Sequence, residues 1–238
     1  MLINDLLFSS DGVELERKNI VEQMEQNMDD RKKRIIYLIL GNILIGVGTG
    51  FCRKASFGVD PFACMGLSFT QYFNGIGLSF MTYGTCLLIE NAILFAVVWF
   101  TERKYMGVGT FVNMIGVGYV VDFVTFIFNK MGFAPLFVIR VCLLIAGIVV
   151  IALGIAMYTV ADMGLAPYDT LAYILMKYTN NKVTFRAGRI ASDVTVMLIG
   201  IIVCLIGGYS VFTVLGIGTA MGVVMFGPLI QLFKDRLL

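Results

Sequence analysis

Histidine is absent from this chain. That removes the commonest metal ligand and the side chain that most often serves as a general base. A zinc site and a Ser-His-Asp triad are therefore not expected. Charge is scarce as well: 14% of the residues are charged and 58% are apolar, with a mean hydropathy of +0.87. A soluble domain of 238 residues needs more polar surface than this. The few carboxylates are crowded towards one end. Of 16 acidic residues, eight precede Arg31: Asp5, Asp11, Glu14, Glu16, Glu22, Glu25, Asp29 and Asp30. The chain thus divides into a wet segment, 1–34, and an apolar body. None of the five cysteines (Cys52, Cys64, Cys86, Cys142 and Cys204) forms a CxxC pair, so buried reduced thiols are expected. Segment 1–34 lacks a basic n-region, an apolar core and a small-residue cleavage site. A signal peptide is not expected, and the first apolar helix would act as the insertion signal. The net charge of +2 resides in basic residues at helix ends, so nucleic acid is not an expected partner. No cofactor and no metal are expected either.

What the chain does have is long apolar runs. About 20 such residues cross the hydrocarbon core of a bilayer. By that ruler about six spans fall near 35–53, 79–100, 107–129, 136–160, 186–207 and 211–233. Segments 57–75 and 163–180 open with Gly and Pro and are shorter. Each reads as a half-helix, a re-entrant piece or an interfacial helix. Residues 14–28 read as a short polar helix, either a solvated cap or a partner-binding tail. Arg31, Lys32, Lys33 and Arg34 abut the first run, and cations there mark the cytoplasmic side. Arg103, Lys104, Lys177, Lys182, Arg186, Arg189, Lys234 and Arg236 join them, provided that 57–75 and 163–180 do not span. Arg53, Lys54, Lys130 and Arg140 fall on the other side. Both termini are therefore expected in the cytoplasm.

The two halves of the body resemble each other. Residues 48–65 read GTGFCRKASFGVDPFACM and residues 154–171 read GIAMYTVADMGLAPYDTL. One constant shift pairs Gly48 with Gly154, Ala55 with Ala161, Gly58 with Gly164, Pro61 with Pro167 and Phe62 with Tyr168. Further on, MGVGT ending at Thr110 matches LGIGT ending at Thr219, in the same order. Three spans per half is an odd number, so the halves would insert in opposite senses about an axis in the membrane plane. The expected fold is an all-α membrane protein with about six transmembrane helices. They form two inverted three-helix repeats, 35–132 and 133–238, each with a Gly/Pro-broken short helix.

The segments ASFGVDPF, ending at Phe62, and ADMGLAPYD, ending at Asp169, resemble the recurring segment of the YczE/YyaS/YitT family of small bacterial integral membrane proteins. The resemblance covers most of 35–233 and omits the charged tail. It implies a multi-pass protein of the bacterial plasma membrane, and it implies little about substrate.

Several residues could carry chemistry. A Gly-x-x-Pro break leaves backbone groups unpaired, which hydrocarbon tolerates only in packed protein or beside a wet cavity. Gly58, Pro61, Gly164 and Pro167 thus point either to a central site, with the positive ends of the following helices turned inward, or to two interfacial loops at the membrane surface. Asp60, Asp162 and Asp169 lie beside the breaks and could cap the short helices or bind a cation or an amine. Glu90, Asp122 and Asp193 interrupt long apolar runs. Acids there face a bundle interior or a cavity, as proton or ion carriers or as neutral hydrogen-bonding glue. Asn91, Asn113 and Asn42 could extend a polar track. Arg140 could snorkel to the outer interface or pair with Asp122 or Glu90. Arg186 and Arg189 read as a positive-inside anchor.

The leading expectation is a secondary transporter or permease of a small solute, bound where the repeats meet. A substrate-binding membrane subunit of an ATPase-driven transporter and a regulatory or assembly protein are the alternatives. Lipid bilayer and a small solute are the expected partners, and a homo-oligomer is compatible. Enzyme chemistry is not expected: Asp122 and Asp169 resemble the acids of paired-aspartate intramembrane proteases, but the required Gly-x-Gly-Asp pattern is missing.

Overall fold

The computed structural model describes residues 30–180 and 182–237. The polar segment 14–28 lies outside them. The chain divides into a unit Met1–Ile36, of which 30–36 are helical and exposed, and a unit Tyr37–Leu238 that holds everything below.

Among the described residues, six helices are long and apolar enough to cross a membrane. They are α1 (Asp30–Ala55), α3 (Tyr83–Thr101), α4 (Val108–Lys130), α5 (Phe137–Val160), α7 (Phe185–Ile206) and α8 (Ile217–Leu237). Between them stand two short helices, α2 (Pro61–Gly75) and α6 (Pro167–Tyr178). No strand occurs among the described residues. Large apolar side chains such as Ile93, Phe100, Phe123 and Ile202 point outward and exposed, the surface that lipid tails would cover.

Two helices begin later than the sequence expectation, while α1, expected from 35, is already helical at Asp30. The span expected from 79 begins at Tyr83, where the Thr82 hydroxyl accepts from the Thr85 amide at 3.3 Å and caps the helix. The span expected from 211 begins at Ile217, because Val211–Thr213 forms a 3-10 turn. From 211 the connecting residues are as apolar as the helix that follows, so hydropathy alone runs through that boundary.

Glycine brings α1 and α5 together antiparallel. A Cβ on Gly41 would lie 2.7 Å from the carbonyl oxygen of Gly154, and one on Gly48 would lie 2.8 Å from that of Gly147. The shift that carries Gly48 onto Gly154 also carries Gly41 onto Gly147, so these two contacts exchange under it.

The breaks after α1 and α5 are built alike. Ser56 and Asp162 occupy corresponding positions, and both have left-handed backbones, with φ of 56° and 48°. Gly58 and Gly164 follow at φ of 97° and 114°. The exposed carbonyls find partners in the other half of the chain. Phe57 accepts from the Gly218 amide at 2.7 Å, and Met163 accepts from the Gly109 amide at 2.7 Å. The GxGT segments seen in the sequence are therefore the receptors for the breaks. Thr110 reinforces one of them by donating to the Leu165 carbonyl at 2.8 Å.

With 15 and 12 residues, α2 and α6 are about 22 and 18 Å long. Neither reaches across a core of about 30 Å. Both pack inside the bundle, chiefly on α7. Met65 lies beside Gly200 and Cys204 beside Ser68, so α2 runs parallel to α7. Ala172 lies beside Gly188 and Tyr168 bonds Asp193, so α6 runs antiparallel to it. The two short helices thus leave their starting points in opposite directions.

Buried Glu102 follows α3 and pairs with Lys177 at the end of α6, and Lys104 stands 3.7 Å away. The hydrogen bond from Lys177 holds the Glu102 carboxyl below the usual carboxylate range.

Two outcomes are expected. Gly164→Ala places a Cβ 2.6 Å from the Gly107 amide nitrogen at a positive φ, costing on the order of 2–4 kcal/mol. Its melting temperature in detergent should fall sharply, while Gly116→Ala, which meets nothing within 4 Å, should not lower it. For Glu102→Gln, the lowered carboxyl pKa means that the ion pair stabilises the fold above the unfolded carboxylate pKa, and that this contribution is lost as pH falls through the folded value. The melting-temperature gap between wild type and Glu102→Gln should be open at neutral pH and closed in acid.

Candidate functional site

Proline at the first helical turn sets where α2 and α6 begin. It suits that position because the missing N–H would have been unpaired there anyway. The first side chains after the two prolines meet. The rings of Phe62 and Tyr168 stack with centroids 4.3 Å apart and planes 6° from parallel. These are the residues that the alignment of the two sequence segments pairs.

Beside the stack lies a cavity of about 460 Å³. Pro61, Ala63, Ala166 and both stacked rings form its middle; Tyr83, Leu87 and Asn91 of α3, Ile151, Ile155 and Tyr158 of α5, and Phe226, Gly227 and Pro228 of α8 close it. The size suits a small organic molecule.

Five charged residues line this cavity. Asp60 accepts from the Ala63 amide at 3.0 Å and caps α2. Helix α6 has Ala166 in the matching position and no side-chain cap. Arg189 of α7 pairs with Asp169, and its Nε lies 3.3 Å from Asp193. Its guanidinium also lies over the Tyr168 ring, 4.5 Å from the centroid. Tyr158 donates to Asp169 and Tyr168 donates to Asp193. Asp60, Asp169, Asp193 and Arg189 all line the cavity, and Lys234 of α8 lines it too. One guanidinium therefore holds two carboxylates in place, while two tyrosine hydroxyls fix their orientation. Such a group can present both signs of charge to a bound molecule over a distance of a few ångström.

The sequence candidates separate into three groups. Asp60, Asp169, Asp193, Asn91 and Pro61 come together at the cavity, and Pro167 is buried at the start of α6 without lining it. Asn113 lines it as well and donates to Asn42 at 2.7 Å. Gly58 and Gly164 hold the backbone that aims α2 and α6. The other candidates lie elsewhere. Glu90 is buried between α3 and α2, with both oxygens lacking a hydrogen-bond partner, and does not line the cavity. Asp122 accepts from the Gly84 amide at 2.8 Å and stands 3.9 Å from Arg53. Asp162 is exposed in the left-handed turn that ends α5. Arg140 pairs with neither Asp122 nor Glu90. It donates to the carbonyls of Ala55 at 2.7 Å and Ser56 at 3.1 Å, because a cation there answers the negative end of α1.

Arg189 was not legible as a site residue, since its neighbours made it look like an anchor. The signal that could have found it is its i,i+4 spacing to Asp193, which puts the pair on one face of α7. Tyr158 and Tyr83 carried no signal at all.

Removing Arg189 leaves two carboxylates facing each other, and breaking one partner of an enclosed pair costs up to about 3 kcal/mol. Arg189→Gln should lower the melting temperature clearly. Adding Asp169→Asn and Asp193→Asn to it should recover most of the loss, and no recovery would mean that the three do not act as one charge group.

A family model described as a family of unknown function (DUF6198) matches residues 32–235. The uncharacterized membrane protein YczE of Bacillus subtilis (strain 168) is 24% identical over 147 residues, 61% of this chain. The match spans 64% of that relative's length. No solved structure matches.

Proposed function

The chain belongs to this family of unknown function, a YczE-like family of membrane proteins, and on that premise we propose that it is a secondary transporter of a small solute. The solute binds in the cavity where α2 and α6 begin. The halves form an inverted repeat in this reading, with both termini in the cytoplasm.

One observation carries the reading: two interrupted helices begin face to face at corresponding residues, beside a cavity lined by an ion-paired cluster. Broken helices of this kind are costly in hydrocarbon unless they are packed in protein or line a cavity, and here they do both. The paired contacts Gly41–Gly154 and Gly48–Gly147, and the crossed hydrogen bonds of Phe57 and Met163, support the two-fold relation. The antiparallel course of α1 and α5 supports the inversion. The positive ends of α2 and α6 and Arg189 suit an anionic group, and the carboxylates suit a cationic one. A zwitterionic or mixed-charge solute uses both.

The test is uptake of pooled small solutes into proteoliposomes, read by mass spectrometry of the lumen. At least one solute should accumulate with wild type, and Asp193→Asn should reduce it about tenfold or more while the protein stays folded. Uptake that appears only with copurified ATPase subunits would instead make the chain a binding subunit. Equal uptake by wild type and Asp193→Asn would remove the cavity from the mechanism.

A further inference from the structure

A second hollow lies apart from this cavity, where the C-terminal ends of α1 and α4 meet the start of α5. Its volume is about 780 Å³. Arg53, Lys54 and Arg140 line it, and among the described residues no carboxylate does. Two polar atoms there are buried without a hydrogen-bond partner, Arg53 Nη1 and Thr125 Oγ1. Asp122 keeps one oxygen 3.9 Å from Arg53 Nη1, too far for a hydrogen bond, and gives its other oxygen to the Gly84 amide. Arg140 spends its Nε and Nη2 on the carbonyls of α1. Among the described residues, the Lys54 ammonium has only the Phe128 ring beneath it, 6.0 Å from the centroid. The hollow therefore carries more positive charge than its surroundings answer.

The two orphaned atoms define what is missing. A guanidinium N–H can only donate, and a hydroxyl can donate. Both ask for acceptor oxygens on the absent partner, and leaving them unmet costs free energy. Three cations ask that the partner be anionic. Several donors converging from three helices suit a tetrahedral group with oxygens on every side, and Arg serves such groups with its planar fork. Phe128 supplies apolar surface next to it. Basic pockets between membrane helices bind anionic head groups on the same physical grounds.

We propose that this hollow binds a phosphate-bearing anion through Arg53 and Lys54, with Thr125 and Asn129 as neutral hydrogen-bonding partners and Arg140 completing the positive wall. An anionic phospholipid and a soluble phosphate ester share this chemistry. The site is independent of the transport reading, since none of its lining residues lines the first cavity.

The test uses the full chain, delipidated in neutral detergent. Phosphatidylglycerol, phosphatidylcholine and inorganic phosphate are added separately, with sodium chloride as the ionic-strength control. Retained lipid is read by native mass spectrometry, and stabilisation by the melting temperature. Arg140 is left intact because it holds the end of α1. Arg53→Gln with Lys54→Gln should weaken phosphatidylglycerol binding about tenfold or more, the equivalent of one charge-assisted contact. Thr125→Val, which keeps the side-chain shape, should weaken it less, and Arg103→Gln, outside the hollow, should leave it unchanged. Stabilisation by phosphatidylglycerol alone identifies a lipid head group; stabilisation by inorganic phosphate as well identifies a site open to soluble phosphate esters. The proposal is overturned if neither probe exceeds the chloride control on wild type. It is equally overturned if wild type, the double variant and Thr125→Val respond alike.

Discussion

Every backbone amide and carbonyl at membrane depth must find its partner within the protein, because hydrocarbon offers none. The breaks at Gly58 and Gly164 create the groups hardest to satisfy. Their solution ties each half of the chain to the other: the carbonyl of Phe57 is met by Gly218, and that of Met163 by Gly109. These hydrogen bonds need close backbone approach, so glycine stands on both sides of each contact. Once they are made, the starting points of α2 and α6 are fixed, and with them the Phe62–Tyr168 stack and the carboxylates around it.

This explains what could be read in advance. Residues that the backbone itself demands leave a signature in type and spacing, so Gly58, Pro61, Gly164 and Pro167 stood out. The long spans stood out because a bilayer sets their length. An acid in an apolar run is equally visible, which is why Asp60, Asp169 and Asp193 were among the candidates. Their convergence was not visible. Glu90 and Asp122 look the same in a sequence, yet one faces Gly66 and the other an amide of α3. Which face of a helix meets which neighbour depends on packing between distant segments, and no local pattern records it. Helix starts were missed for a simpler reason, since apolar turns such as Val211–Thr213 carry the hydropathy of the helix they precede.

The two halves are not packed equally. Helices α3 and α4 lie together along their lengths, whereas α7 and α8 touch sparingly and α8 leans on α5 instead. Helix α8 also contains Pro228, which cannot donate the hydrogen bond expected of an interior residue. That proline and its neighbours Phe226 and Gly227 form one wall of the cavity. The wall that α8 contributes thus lacks one backbone hydrogen bond and takes little support from α7.

The stacked pair has a consequence for how the site distinguishes its two sides. Phe62 and Tyr168 lie face to face and differ by a single hydroxyl, which bonds to Asp193. Whatever occupies the cavity therefore meets an apolar ring on one side of the stack and an anchored acid on the other. One oxygen atom makes the stacked pair directional.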